Sequence, residues 1–226
     1  MYDVSFYAVQ VISYSNDPSV DDVRFGTACI IRATNSEGHK HFLLSNRHVI
    51  KPFDKLTIKT GLNEITIEPP AFKPYGCLCD DEIDLAVVCL DPLKEIDKIL
   101  WNDLSSRAIP VKNILSKADT LDLKTVTPII SSSVPNHFHN DGYALPIVRR
   151  GIIATPPSKT EDEILADIAC YQSYSGSPVF LESSLKDDIP LLIGIEKRGA
   201  KLPDGFYMHM AIIQCAYKAL DIIRIL

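Results

Sequence analysis

Ser173-Tyr174-Ser175-Gly176-Ser177-Pro178-Val179-Phe180 is the stretch on which the reading of this chain turns. A serine followed by glycine lets the backbone turn sharply and leaves the hydroxyl unshielded, while Pro178 opens a strand without needing a backbone donor. By itself the run also reads as an ordinary turn, because serine and glycine are common turn residues.

Two earlier segments give it company. Phe42-Leu43-Leu44-Ser45-Asn46-Arg47-His48-Val49-Ile50 is an apolar strand that ends in a polar corner carrying a histidine. Asp81-Glu82-Ile83-Asp84 runs directly into Leu85-Ala86-Val87-Val88. An acid at the mouth of an apolar strand is costly to bury unless something hydrogen-bonds it, and a histidine Nδ1 proton would serve Asp84. Each has a plainer alternative: a satisfied strand-end histidine for His48, a solvated strand-start acid for Asp84. Serine is a poor nucleophile at neutral pH and needs an adjacent base, whose tautomer a third group must fix.

Around these segments short apolar runs dominate: Ser5–Val11, Gly26–Arg32, His41–Asn46, Lys55–Lys59, Glu64–Glu68, Leu85–Leu90, Lys124–Ser131, Val148–Ala154, Ser177–Leu181, Leu191–Glu196 and Phe206–Ile212. Many are bounded by Gly, Pro, Asn, Asp or Ser, which predicts strands closed by turns. Helical spacing is confined to Pro92–Trp101, with Asp91 as N-cap, and to a tail from about Ile213 to Leu226 with Ile213, Ala216, Leu220 and Ile223 in register. The stretch Asn102–Asp119 is weakest in pattern, so the chain divides into residues 1–115, carrying His48 and Asp84, and 116–226, carrying Ser175 and the terminal helix.

With 226 residues, 46% hydrophobic and 23% charged, the chain is long enough for one large domain or two small ones with a true core. A formal charge of −6 with no basic stripe argues against nucleic acid as the partner. The longest apolar run, Leu85 to Leu90, is far short of the roughly 20 residues a membrane helix needs. The start, MYDVSFYAVQ, lacks a secretory pattern, so a cytoplasmic protein with mostly reduced thiols is expected of its six cysteines.

In chain order, His48, Asp84 and Ser175 follow the sequence of chymotrypsin-like proteases, 36 and then 91 residues apart. The chain resembles the trypsin-like serine peptidases of the bacterial kind, similar to the high-temperature-requirement proteases and glutamyl endopeptidases. Leu43–Val49 resembles that family's histidine motif, Asp84–Val87 its Asp-Leu/Ile-Ala motif, and Ser175–Phe180 its nucleophile motif. Leu192-Ile193-Gly194-Ile195 and Met208–Ile212 resemble later strands, so the likeness spans about residues 25–226. The resemblance implies an all-β fold of two six-stranded antiparallel barrels with a C-terminal helix. It also implies a serine endopeptidase in which His48 takes the proton of Ser175, Asp84 orients the imidazole, and an acyl-enzyme is released by water. It implies backbone donors from Ser173 and Ser175 for the oxyanion, a pocket for the P1 side chain lined by Ala169, Glu196 and His209, no cofactor, and a peptide or protein substrate. Any regulation would come from loop ordering or a protein partner.

One departure bears on activity. The family usually has glycine where this chain has Ser173, and a positive φ there would strain serine and could turn its N–H away. Losing one such donor typically costs about 10²–10³ in rate. A catalytically weak or inactive module that binds peptides is therefore the rival reading, and an esterase using the same residues is a second. A carboxylate at Glu196 would favour Lys or Arg at P1, unless His209 pairs with it or it instead faces solvent or pairs with Lys197 or Arg198. Cys77, Cys79, His137 and His139 supply zinc-compatible atoms at spacings unlike those of structural zinc sites, so no metal is expected.

Overall fold

The structure is a computed structural model and describes residues 3–15, 23–36, 38–50, 54–61, 63–68, 74–76, 83–136, 139–140, 143–157, 162–171, 173–186, 189–201 and 207–224. Among these, the first half builds strands β1 (Val9–Tyr14), β2 (Val23–Asn35), β3 (Gly38–Ser45), β4 (Lys55–Thr60), β5 (Asn63–Ile67), β6 (Pro74–Gly76), β7 (Ala86–Cys89) and β8 (Ile109–Pro110). They form one sheet in the order β5-β4-β1-β2-β3-β7-β6, with β8 alongside β2. The second half builds β9 (Pro128–Ser133), a small hairpin of β10 (His139–Asn140) and β11 (Tyr143–Ala144), then β12 (Ile147–Ile153), β13 (Glu163–Asp167), β14 (Pro178–Leu181), β15 (Leu192–Lys201) and β16 (Tyr207–Cys215). Six of these close into a barrel in the order β12-β13-β16-β15-β14-β9.

The closed six-stranded barrel expected of the second half is present. A second closed barrel is not built among the described residues, because the first sheet ends at β5 on one side and β6 on the other with no ladder between them.

Helices punctuate the strands. One turn, α1 (Arg47–Ile50), follows β3; α2 (Leu93–Ile96) and α3 (Lys98–Ser106) follow β7; α4 (Lys117–Leu121) precedes the barrel; and α5 (Tyr217–Arg224) ends the described chain. The helical stretch expected over Pro92–Trp101 is split and runs further. Asp97, not Asp91, is its effective cap, accepting from the N–H groups of Ile99 and Leu100 at 3.0 Å. Asp91 instead accepts from the backbone N–H of His41. Leu100 and Leu104 bury the inner face of α3, which is why the helix persists into the weakly patterned 102–106. Ile213 belongs to β16, so the terminal helix begins later than its spacing suggested. No described helix is long and apolar enough to cross a membrane.

The two halves share a core. Cys29, Ile31, Phe42, Leu44 and Val87 from the first sheet pack with Phe180, Leu192 and Ile195 from the barrel, and Ala219, Ile222 and Ile223 of α5 seal the seam. The four described cysteines, Cys29, Cys89, Cys170 and Cys215, are free thiols. Burial pushes Cys215 up to about 12 and Cys29 and Cys170 higher still, which keeps them unreactive.

Candidate active site

His48 stands on α1, immediately beyond the buried strand β3, and is half exposed, with 44% of its side chain open to solvent. Asp84 lies just before β7, which pairs antiparallel with β3 in the register Leu44↔Val87 and Ser45↔Ala86. That register brings the mouth of one strand against the end of the other. The Asp84 carboxylate then takes two donors from one residue: His48 Nδ1 lies 2.6 Å from Oδ2, and the His48 backbone N–H donates to Oδ1 at 3.0 Å. Asn46 adds a third tie, donating from Nδ2 to the Asp84 carbonyl at 2.8 Å. From the other side, Arg24 donates to the His48 carbonyl at 2.7 Å.

Ser175 arrives from the barrel on a turn that only glycine permits. Gly176 has φ +89°, and a Cβ there would collide with the Thr27 carbonyl and Ser45 Oγ. Thr27, in the middle of β2, is the dock for this loop. Its N–H donates to the Ser175 carbonyl at 2.8 Å, and its hydroxyl donates to the Ser173 carbonyl at 3.4 Å while accepting from Val134 N–H. A side chain on Gly26 would press on both Val49 and the Ser175 carbonyl, so the Ser175 turn sits against the corner that carries His48.

The Ser175 hydroxyl donates to the Lys197 carbonyl at 3.1 Å and makes no hydrogen bond to His48 in this structure. Lys197 lies at an irregularity of β15, where the pairing with β16 shifts between Glu196 and Arg198, and this frees its carbonyl from the ladder. Ser173 has φ +69°, the left-handed conformation in which serine is strained. Around it, Tyr174 N–H is taken by the Tyr171 carbonyl and Gly176 N–H by the Glu196 carbonyl, whereas among the described residues nothing takes the N–H of Ser173 or Ser175.

The supposed P1 pocket is arranged differently from the sequence expectation. Glu196 is fully buried, and its partner is neither His209, Lys197 nor Arg198 but Arg149 on β12, Nη2 to Oε1 at 2.6 Å. Burial pushes the Glu196 carboxyl up, and the Arg149 guanidinium pulls it back. Arg149 also donates to Ser133 Oγ at 2.6 Å, to Ser131 Oγ at 3.1 Å and to the Ala169 carbonyl, and lies 4.1 Å above the Tyr174 ring. His209, on β16, is exposed and stands 6.4 Å from the Tyr171 ring. Lys197 pairs with Glu163 at 2.6 Å. Arg149 could not be found from sequence, since it lies 47 residues from Glu196 in an alternating strand that marks it only as one polar position.

Among the described residues no cluster of His, Cys, Asp and Glu could hold a metal. Cys77, Cys79 and His137 lie outside the described residues.

No protein-family model matches the chain, and no curated protein matches it in sequence. Solved structures do. An HtrA-type protease, AlgW with a tripeptide, superposes with a TM-score of 0.63 at 17% identity over 97% of this chain and 60% of its own. The MamO protease domain from Magnetospirillum magneticum gives 0.58 at 10% identity, covering 96% of both chains. A serine endoprotease from Yersinia pestis gives 0.59 at 16% identity, over 97% of this chain and 62% of its own. The fold is that of the trypsin-like serine proteases. The chain spans about three fifths of the length of the HtrA-type structure and nearly all of the MamO protease domain. Within this protease fold, His48 and Asp84 come from the first sheet and Ser175 from the barrel.

Proposed function

We propose that this protein is a serine endopeptidase in which His48 is the general base, Asp84 orients it, and Ser175 is the nucleophile. The observation that carries the reading is the double grip of Asp84 on His48. With Nδ1 committed to the carboxylate, Nε2 is the nitrogen left to accept the Ser175 proton. Ser175 then attacks the scissile carbonyl, the His48 proton passes to the leaving amine, and water releases the acyl group by the same route in reverse. The N–H groups of Ser173 and Ser175, which no described residue takes, are the donors available to the developing oxyanion. That AlgW was solved with a tripeptide supports a peptide as the substrate class.

The second reading, a module that holds peptides without cutting them, is favoured by the Ser175 hydroxyl facing Lys197. The magnitude favours the enzyme. Releasing the hydroxyl from the Lys197 carbonyl gives up one neutral hydrogen bond, about 1 kcal/mol or about fivefold in population, which substrate binding readily supplies.

A blocked peptide amide and its matching ester test both. An endopeptidase turns over both and loses both in Ser175→Ala. Turnover of the ester alone makes the protein an acyl hydrolase, and binding of the peptide with turnover of neither makes it the binding module.

A further inference from the structure

Among the described residues the Arg149–Glu196 pair is the most enclosed ion pair near the candidate site, with side-chain exposures of 11% and 0%. Arg149 presents a planar fork, and its partners are those an arginine from outside would need: a carboxylate at Glu196, hydroxyls at Ser131 and Ser133, and the main-chain carbonyl of Ala169. Glu196 and Ala169 are two of the three residues that the sequence assigned to the P1 pocket. The guanidinium is stacked on Tyr174, the residue before the nucleophile. The same cluster reaches the far side of Ser175, because Ser133 Oγ meets Ser177 Oγ at 2.7 Å and Ser177 Oγ donates to the Tyr174 carbonyl at 2.5 Å.

Resting on the protease reading, we propose that Arg149 is an internal occupant of the specificity pocket, filling at Glu196 the place that a basic P1 side chain would take. Glu196 is fully buried and its charge is already paired with Arg149, so little net charge is left there to hold a second cation. The wild-type pocket thus rejects lysine and arginine despite its carboxylate. Shortening Arg149 leaves a cavity with an acid at its end and a ready set of acceptors for an amidinium.

The test is benzamidine binding by calorimetry to the wild type, Arg149→Ala and Arg149→Ala/Glu196→Gln. Arg149→Ala is expected to bind at least about tenfold more tightly than the other two. Equal affinity in all three, or equal affinity in the single and double variants, overturns the proposal. Should Arg149→Ala not fold alone, refolding yield reads the same point. Benzamidine raises the yield of Arg149→Ala and leaves that of the double variant unchanged, and no effect on Arg149→Ala overturns the proposal. Because binding needs no turnover, failure of the protease reading is seen separately, as absent peptide hydrolysis in a wild type whose Arg149→Ala variant still binds benzamidine.

Discussion

Asp84 holds His48 at two points, the ring through Nδ1 at 2.6 Å and the backbone through N–H at 3.0 Å. Ring tautomer and ring position are therefore set by one carboxylate. Replacing Asp84 with asparagine keeps the size but offers an amide that can present N–H to Nδ1, which favours the wrong tautomer. Asp84→Asn is expected to lower kcat by about 10⁴-fold with the fold retained, as read by steady-state hydrolysis beside circular dichroism. A loss of less than about tenfold would show that Asp84 is only structural.

Ser173 sits at φ +69°, where a side chain costs about 1–2 kcal/mol. Glycine removes that strain but adds about 0.5–1 kcal/mol of unfolded-state entropy. Ser173→Gly is thus expected to be stabilising by up to about 1.5 kcal/mol in urea unfolding. It is also expected to react with an acylating reagent at least as fast as the wild type. Clear destabilisation would mean that the serine side chain is needed where it is.

His41 is buried against Trp101, ring centroids 4.7 Å apart, and burial lowers it to about 4, opposed by Asp91 and assisted by Lys94, Arg32 and His39. Above pH 6.5 both folded and unfolded forms are neutral at this ring, and the full stability is present. As pH falls from about 6.5 to about 4 the unfolded chain binds the proton first, so stability is lost, by about 3 kcal/mol in all. Urea titrations across this window should show that slope in the wild type and a shallower one in His41→Gln. Identical slopes would assign the pH dependence elsewhere.

Much of this was readable from residue order. Alternation and apolar runs located most strands, and the polar corners at His48 and Asp84 follow from acids and imidazoles placed at strand ends. What escaped has a physical cause. Glu163 lies outside the expected apolar runs, in the acidic stretch 161–163, yet it opens β13, where Lys197 pairs with it. The apolar run Ser5–Val11 predicts one strand, but Asp3 caps a short 3-10 turn over Val4–Tyr7 and the strand starts at Val9. The resemblance implies a pocket role for Glu196, whereas its partner is fixed only by the β9–β12 register that sets Arg149 opposite Ser131. Long-range pairing of that kind leaves no local pattern.

The central claim is that Ser175 is activated by His48. Fluorophosphonate labelling near neutral pH, with intact mass and peptide mapping of the wild type, Ser175→Ala and His48→Ala, tests it most directly. The account predicts one adduct, on Ser175, absent from both variants. No adduct on the wild type, or labelling of Ser175 that persists in His48→Ala, would contradict it.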